Sequence, residues 1–224
     1  MMKHSQRVKR AAYRSPLRTS QAEATRLRVI EAAGRLFVER GYAGTSIDAI
    51  AETAGVGRAT VFTSVGGKAA LLKAAYDVAV VGDDQPVALP DRPWAQHVRD
   101  APTQHERIRR YAEMVSAVDS RDAAIYEAFR GGASADPEVR SLWDEIQAER
   151  RVGAANFVHL IRDLGPLREG LGTEAAADVV WVLNDPGLYH QLVLQRRWTV
   201  PTFSAWLAET MQLQLLATTT PRPQ

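Results

Sequence analysis

A glycine-rich stretch with a lysine lies between Gly55 and Ala74 and reads GVGRATVFTSVGGKAALLKA. Glycines followed by a lysine are the residue types that bind nucleotide phosphates. A Walker A loop, however, requires a glycine five residues before the glycine of its Gly-Lys pair, and Ser or Thr after the lysine. Phe62 and Ala69 occupy those positions. The second pattern, from Gly55 to Thr60, ends in threonine instead of glycine and follows a predicted helix. The stretch therefore predicts no nucleotide site.

Histidine, serine and acidic residues are the types that could form a catalytic or metal site. His159 and Asp163 are four residues apart and share a helical face, but a zinc site needs at least three protein ligands. The chain has no Gly-x-Ser-x-Gly motif of the kind that presents a nucleophilic serine. We therefore expect no enzyme activity, no metal and no cofactor.

The composition is that of an ordinary folded protein in a reducing compartment. The 224 residues are 46% hydrophobic and 24% charged, and they include no cysteine. The lack of cysteine excludes disulfides and zinc–thiolate sites and is compatible with the cytoplasm, where we expect the protein to act. No apolar run approaches the roughly 18 residues that span a bilayer, so we expect no membrane partner.

Positive charge is concentrated in the N-terminal third. Residues 1–80 contain 13 Lys and Arg against 6 Asp and Glu, whereas residues 81–224 contain 15 basic and 20 acidic residues. Such a bias predicts that the first part contacts a polyanion. Residues 1–22 are basic and aperiodic, which predicts a flexible arm.

Short helices are predicted after this arm, in residues 23–68. Apolar residues from Leu27 to Phe37 recur at helical spacing, so a first helix is expected from about Thr25 to Gly41. A second helix follows, with Thr45 as its expected N-cap. A third is expected from Arg58 to about Ser64, after a glycine-containing turn. Two short helices joined in this way predict a helix–turn–helix, whose second helix enters the DNA major groove.

Seven residues are the expected DNA contacts. Small and polar side chains on the third helix allow close approach to base edges, and an arginine can bind guanine through two hydrogen bonds. Residues near helix N-termini suit phosphate. The predicted set is Thr45, Arg58, Ala59, Thr60, Phe62, Thr63 and Lys68.

Residues 25–76 resemble the DNA-binding domain of TetR-family transcriptional regulators. The resemblance lies in the AAxxLFxxxGYxGTS pattern (32–46), the IAxxAGV pattern (50–56), Thr60 and the GxKxxLL pattern (66–72). It implies a homodimeric repressor on a palindromic double-stranded DNA operator. The third helix departs from the family pattern at Phe62, Ser64 and Val65.

In residues 69–224, helices are predicted on both sides of a linker at 82–93, and they include a pair at about 103–119 and 122–130. A flexible tail is expected at 219–224. The expected fold is all-α, a three-helix DNA-binding domain followed by a helical bundle. In this bundle the resemblance implies a site for a small, mainly apolar or aromatic effector, with candidate residues Tyr111, Met114, Tyr126, Phe129, Trp143, Phe157 and His159. It implies a dimer interface on the last two helices, with candidates Trp181, Leu188, Leu192, Trp206 and Leu213.

Two alternatives remain open on the sequence. The aromatic and methionine side chains of the bundle are also typical of an ordinary core, and the last helices can pack internally. The altered third helix is also compatible with a helical small-molecule or protein-binding module whose DNA-binding head is degenerate.

Overall fold

The computed structural model describes residues 16–82 and 91–217, and for residues 16–19 it describes the backbone alone. These residues form helices joined by turns, with no strand among them. The helices are α1 (Pro16–Gly44), α2 (Ile47–Ala54), α3 (Arg58–Ser64), α4 (Lys68–Val81), α5 (Pro93–Arg99), α6 (Gln104–Ala133), α7 (Pro137–Arg162), α8 (Thr173–Leu183), α9 (Pro186–Tyr189), a π-helical turn (His190–Gln195) and α10 (Val200–Leu215). The predicted all-α fold is confirmed. None of the helices described is both long and apolar enough to cross a bilayer.

Helices α1 to α4 form the N-terminal domain. Phe37 of α1, Ile50 of α2, Val61 of α3 and Leu72 of α4 are fully buried in one core. Gly55 ends α2 in the left-handed conformation (φ 67°, ψ 36°), and its N–H bonds to the carbonyls of Ala51 and Glu52. Glycine adopts this conformation without steric cost, which is why the turn between α2 and α3 is found where the sequence predicted it.

The beginning of the chain differs from the prediction in two places. Helix α1 begins at Pro16, nine residues before the predicted start at Thr25, because proline is well accepted in a first helical turn. Residues 16–22 of the predicted arm are therefore helical, and residues 1–15 lie outside the described residues. The N-cap of α2 is Ser46, not Thr45, since the Ser46 hydroxyl accepts a hydrogen bond from the N–H of Ala49.

Helix α6 is one continuous helix of 30 residues, so the two separate helices predicted at 103–119 and 122–130 were wrong. Gly131 and Gly132 lie inside its last turn and do not stop it. The helix continues because it lies in the centre of the bundle, where α1, α4, α7 and α10 all pack against it. Tertiary packing of this kind overrides local breaking signals. Of the predicted linker, residues 83–90 lie outside the described residues.

Pro186 interrupts the C-terminal helical segment. Helix α8 ends at Leu183, the Asp185 carboxylate accepts a hydrogen bond from the N–H of Gly187, and Pro186 is the first residue of α9. Pro186 thus breaks the helix completely, because proline cannot donate the hydrogen bond that would continue α8. The π-helical turn and α10 follow.

Two hydrophobic cores result. The first joins the N-terminal domain to α6 and α7, since Tyr126, Phe129 and Ile146 pack with residues of α1 and α4. The second lies within the bundle and includes Ile108, Phe157 and Phe203. Because the first core is shared, α4 cannot shift without repacking α6.

Candidate functional site

The outer face of α3 exposes four of the predicted DNA contacts. Arg58, Ala59, Phe62 and Thr63 are exposed, and Phe62 retains 45% of its accessible surface. Thr60 is half-buried. An exposed large aromatic ring on a short helix is unusual for a side chain that only stabilises the fold, and small neighbours let the backbone approach a groove.

Arg58 has a partner in the free protein. One guanidinium nitrogen lies 2.7 and 2.6 Å from the two carboxylate oxygens of Asp48, and both side chains are more than half exposed. The guanidinium also lies 5.7 Å from the ring centroid of Phe62. Exposed ion pairs contribute about 1 kcal/mol or less, so a ligand of Arg58 can displace Asp48 at low cost.

Thr45, one of the predicted DNA contacts, lies inside the N-terminal domain. Its side chain is buried, and its hydroxyl donates to the backbone carbonyls of Leu36 and Gly41 at 3.0 and 2.8 Å. These bonds satisfy carbonyls at the end of α1, where Gly41 has a positive φ of 69°. Thr45 therefore fixes the exit of α1 and leaves Ser46 to cap α2.

Lys68 belongs to a contact between the two domains. Its ammonium lies 4.2 Å from the ring centroid of Tyr42, whose hydroxyl donates to Asp136 at 2.7 Å. Partial burial lowers the pKa of Lys68, and the hydrogen bond from Tyr42 lowers that of Asp136. Asp136 is also the N-cap of α7. Lys68 thus begins α4 in contact with α1 and close to the start of α7.

The predicted effector residues fall into two groups. Tyr126, Phe129 and Trp143 pack together in the first core, with ring centroids 4.8 to 6.1 Å apart. Tyr111 and Phe157 stack in the second core, 3.6 Å apart, and half-buried Met114 packs beside that core. His159 is exposed, because it lies on the opposite face of α7 from Phe157 and Val158, and this corrects its assignment to an interior site.

Arg150 connects these groups, and sequence reasoning missed it. Its guanidinium donates to the Tyr126 hydroxyl, the Gln147 side chain, the Asp185 carboxylate and the backbone carbonyls of Trp181 and Asn184, at 2.7 to 3.2 Å. Asn184 in turn donates to the Tyr111 hydroxyl. No signal in the sequence marked Arg150, because it stands in a run of charged residues on α7. Four of its partners lie 24 to 35 residues away along the chain, namely Tyr126, Trp181, Asn184 and Asp185.

Two acidic side chains on α6 were also missed. Asp119 and Asp122 are only 3% and 2% exposed. Burial raises the pKa of Asp122 to about 7 and that of Asp119 well above its ordinary value. A signal did exist, since Val115, Asp119, Asp122 and Tyr126 follow one another at steps of four, three and four residues. That spacing places both acids on the buried stripe of the helix.

Because these two acids are buried, we predict that the stability of the protein falls as the pH rises. Because the folded-state pKa of Asp122 exceeds its ordinary value of 3.8, the folded chain binds more protons than the unfolded chain between about pH 4 and 7. The contribution of Asp122 to stability is therefore fully present below pH 4 and is lost as the pH rises through 7, with a slope of up to about 1.4 kcal/mol per pH unit.

Urea unfolding of the native chain and of Asp122→Asn between pH 4 and 8 measures this effect. The native chain should lose stability relative to the variant as the pH rises. A constant difference between the two proteins would contradict the raised pKa.

Two surface cavities formed by the described residues have none of the predicted effector residues in their lining. One of about 360 Å³ lies beside the π-helical turn and includes Glu127, Arg130 and His190. The other, of about 460 Å³, lies between α4 and α7 and includes Lys73 and Leu142. Within residues 16–82 and 91–217, no group of three or more His, Asp or Glu residues is arranged to hold a metal.

The predicted dimer residues differ in exposure. Leu213 is 60% exposed, whereas Trp181, Leu188, Leu192 and Trp206 are half-buried. Trp206 packs against Trp198 and Phe203, with ring centroids about 6 Å apart. Other large apolar side chains exposed on the same C-terminal helices are Val182, Leu194 and Val200.

Known proteins resemble this chain in sequence and in fold. Residues 29–75 match the family model of bacterial regulatory proteins of the tetR family. The HTH-type transcriptional regulator YdeS of Bacillus subtilis is 26% identical over 160 residues, which are 71% of this chain and 75% of YdeS.

Two solved structures extend the likeness in fold to most of the chain. NalD of Pseudomonas aeruginosa, the secondary repressor of the MexAB-OprM multidrug efflux pump, has a TM-score of 0.66 at 21% identity, over 88% of this chain and 99% of NalD. FadR of Bacillus subtilis, in complex with stearoyl-CoA, has a TM-score of 0.63 at 17% identity, over 83% of this chain and 96% of FadR. Residues 29–75, which include α2, α3 and most of α4, are thus similar to bacterial regulatory proteins of the tetR family, and the two solved structures share the fold over most of the chain.

Proposed function

We propose that this protein is a homodimeric repressor that binds a palindromic operator and leaves it when a small, mainly apolar or aromatic effector binds in the bundle. The observation that carries the proposal is the exposed face of α3, where Arg58, Phe62 and Thr63 project beside small residues. A helix of seven residues reads few base pairs, so a two-fold pair of such helices gives the specificity that one lacks.

The C-terminal helices supply the surface proposed for dimerisation. Leu213 is 60% exposed and Val182 54%, and apolar side chains so exposed are typical of an interface when they lie together. The proposed repressor activity and effector have parallels in NalD, a repressor, and in FadR, which was solved with stearoyl-CoA.

The proposed route from effector to DNA passes through α4. This helix begins at Lys68, four residues after α3 ends, and its buried Tyr76 contacts Phe129 of α6 at a ring-centroid distance of 5.9 Å. A ligand that repacks α6 would move α4 and alter the spacing between the two α3 helices of the dimer. Effector binding in the bundle and DNA binding at α3 would then be linked by a coupling free energy.

Selection of random duplex DNA by the purified protein, followed by sequencing, tests the proposal together with a measurement of mass in solution. A palindromic consensus and a mass of two chains are expected. An unselected pool whose binding disappears with salt would instead favour the helical binding module with a degenerate head.

Arg58→Ala is expected to relax base preference on the selected operator. A bidentate arginine–guanine contact contributes about 1–3 kcal/mol of discrimination, so affinity for the operator should fall while affinity for random DNA changes little. Asp48→Asn should tighten binding, because it removes a negative charge and frees Arg58 from its ion pair. Binding assays on operator and random duplexes at one salt concentration measure both effects.

The control is Arg140→Ala, which removes the same charge from an exposed position on α7. If Arg140→Ala and Arg58→Ala reduce operator binding equally, Arg58 contributes only general charge and does not read bases.

A further inference from the structure

The buried pair Asp119 and Asp122 has no evident role in stabilising the bundle. The two residues lie three positions apart on α6, so their side chains are neighbours on one face of the helix. Among the residues that the structure describes, one carboxylate oxygen of each has no hydrogen-bond partner, namely Oδ2 of Asp119 and Oδ1 of Asp122. Buried polar atoms without a partner cost free energy, and native proteins retain few of them.

Buried tyrosines on three helices lie within electrostatic reach of these carboxylates. Burial, and after it the negative charge of Asp119 or Asp122, raises the pKa of Tyr76 on α4 and of Tyr189 on α9. Tyr111 of α6 is buried and lies within the electrostatic reach of Asp119 as well. Tyrosines of α4, α6 and α9 are therefore near the two acids. A positive group next to such rings is attracted by their faces as well as by the acids.

The positive charge nearby is engaged elsewhere. Arg150 is the cation whose charge acts on both acids, but its guanidinium is already bonded to Asp185, Tyr126 and the end of α8. Arg121, which acts on Asp122, is exposed and donates to the carbonyls of Ala79 and Val80 at the end of α4. Among the described residues, no cation is therefore bonded to the free carboxylate oxygens of Asp119 and Asp122.

We propose that Asp119 and Asp122 receive the positive group of an organic cation, so that the effector is an ammonium or similar cation on an apolar or aromatic body. The inference rests on the proposed function, whose effector class it specifies. A bare metal ion is disfavoured, since the described residues offer no group of three or more His, Asp or Glu as ligands. Tyrosine rings instead suit an organic ammonium.

The burial of the pair links binding to the DNA-binding domain. Because both acids are less than 4% exposed, a ligand reaches them only when the surrounding helices move apart. Tyr76 is the residue of α4 among them, and it packs against Tyr126 and Phe129 at 6.3 and 5.9 Å. A cation at Asp119 and Asp122 therefore displaces α4, which leads directly to α3 and the DNA.

Binding is also linked to protons. The acids attract a cation only when ionised, so affinity rises with pH through the range in which they lose their protons. The charged and titratable groups that interact electrostatically with them are Tyr76 of α4, Tyr111 and Arg121 of α6, Arg150 of α7, Asp185 before α9, and Tyr189 of α9.

The test compares two probes of the same shape, phenyltrimethylammonium and its neutral isostere tert-butylbenzene. Calorimetry with the full chain at pH 6 and pH 8 should show binding of the cation that is about tenfold or more tighter than that of the isostere. Binding should be tighter at pH 8. Asp119→Asn and Asp122→Asn should each remove most of this preference.

Glu113→Gln is the control, because Glu113 is an exposed acid on the same helix, paired with Arg109. It should leave cation binding unchanged. Equal affinity for the two probes, no binding of the cation, or unchanged cation binding by the two Asp variants when circular dichroism shows them folded would each overturn the inference.

Operator binding, measured on the same samples without probe, separates this inference from the proposed function. If the protein selects an operator but does not distinguish the probes, the cation inference fails and the repressor remains. If no operator is selected, the proposed function fails whatever the probes do.

Discussion

Replacing Arg150 with methionine should lower the free energy of unfolding by about 3–5 kcal/mol, because it breaks a buried charged network at its centre. The Arg150 side chain is 10% exposed, and it donates hydrogen bonds to three side chains and two backbone carbonyls. Methionine fills similar volume but leaves Asp185 and the end of α8 without their donor. Urea unfolding near pH 7 measures the loss.

Arg151→Met is the matched control. Arg151 is exposed and lies 4.6 Å above the ring of Trp181, a contact that contributes about 0.5–1 kcal/mol. If the two variants lose similar free energies of unfolding, the loss of one positive charge explains the effect, and the hydrogen-bond network of Arg150 does not. Arg150→Lys should recover only part of the stability, since an ammonium cannot reach all five acceptors in their fixed geometry.

Gly132→Ala should be the second most damaging change, with an expected loss of about 1–3 kcal/mol from overpacking. A Cβ at this position would lie 3.0 Å from Cβ and Cγ of Tyr42 and 3.2 Å from Cγ1 of Val139. The ring of Tyr42 cannot retreat easily, because its hydroxyl bonds to Asp136 and Lys68 lies over its face. The contact joins α1 to α6 and α7, so relief of the clash must separate the two domains.

Gly131→Ala is the neighbouring control. An added Cβ there meets nothing within 4 Å, and the residue is exposed in the same helical turn. Alanine is a better helix former than glycine, so this variant should gain about 0.5–1 kcal/mol. Thermal unfolding of Gly132→Ala and Gly131→Ala compares their stabilities. If both variants lose stability, the cause is a change in the helix itself and not the contact with Tyr42.

The sequence by itself determined the helical fold and the bounds of α3. These follow from local signals, namely the spacing of apolar residues and the glycines at 55, 66 and 67, and local signals need no knowledge of the rest of the chain. The exposed face of α3 was predictable for the same reason, because Val61 had to face inward and its neighbours on the helix then face outward.

The tertiary structure alone decided the roles of Thr45, Arg150 and Gly132. Thr45 is buried because the carbonyls at the end of α1 turn toward it, and Tyr42 meets Asp136 across 94 residues of sequence. Helix α6 continues through its acidic stretch because other helices surround it, and this burial gives Asp119 and Asp122 their raised pKa values. Such contacts depend on which helices pack together, and the periodicity of one helix shows which face is buried but not which residues it meets.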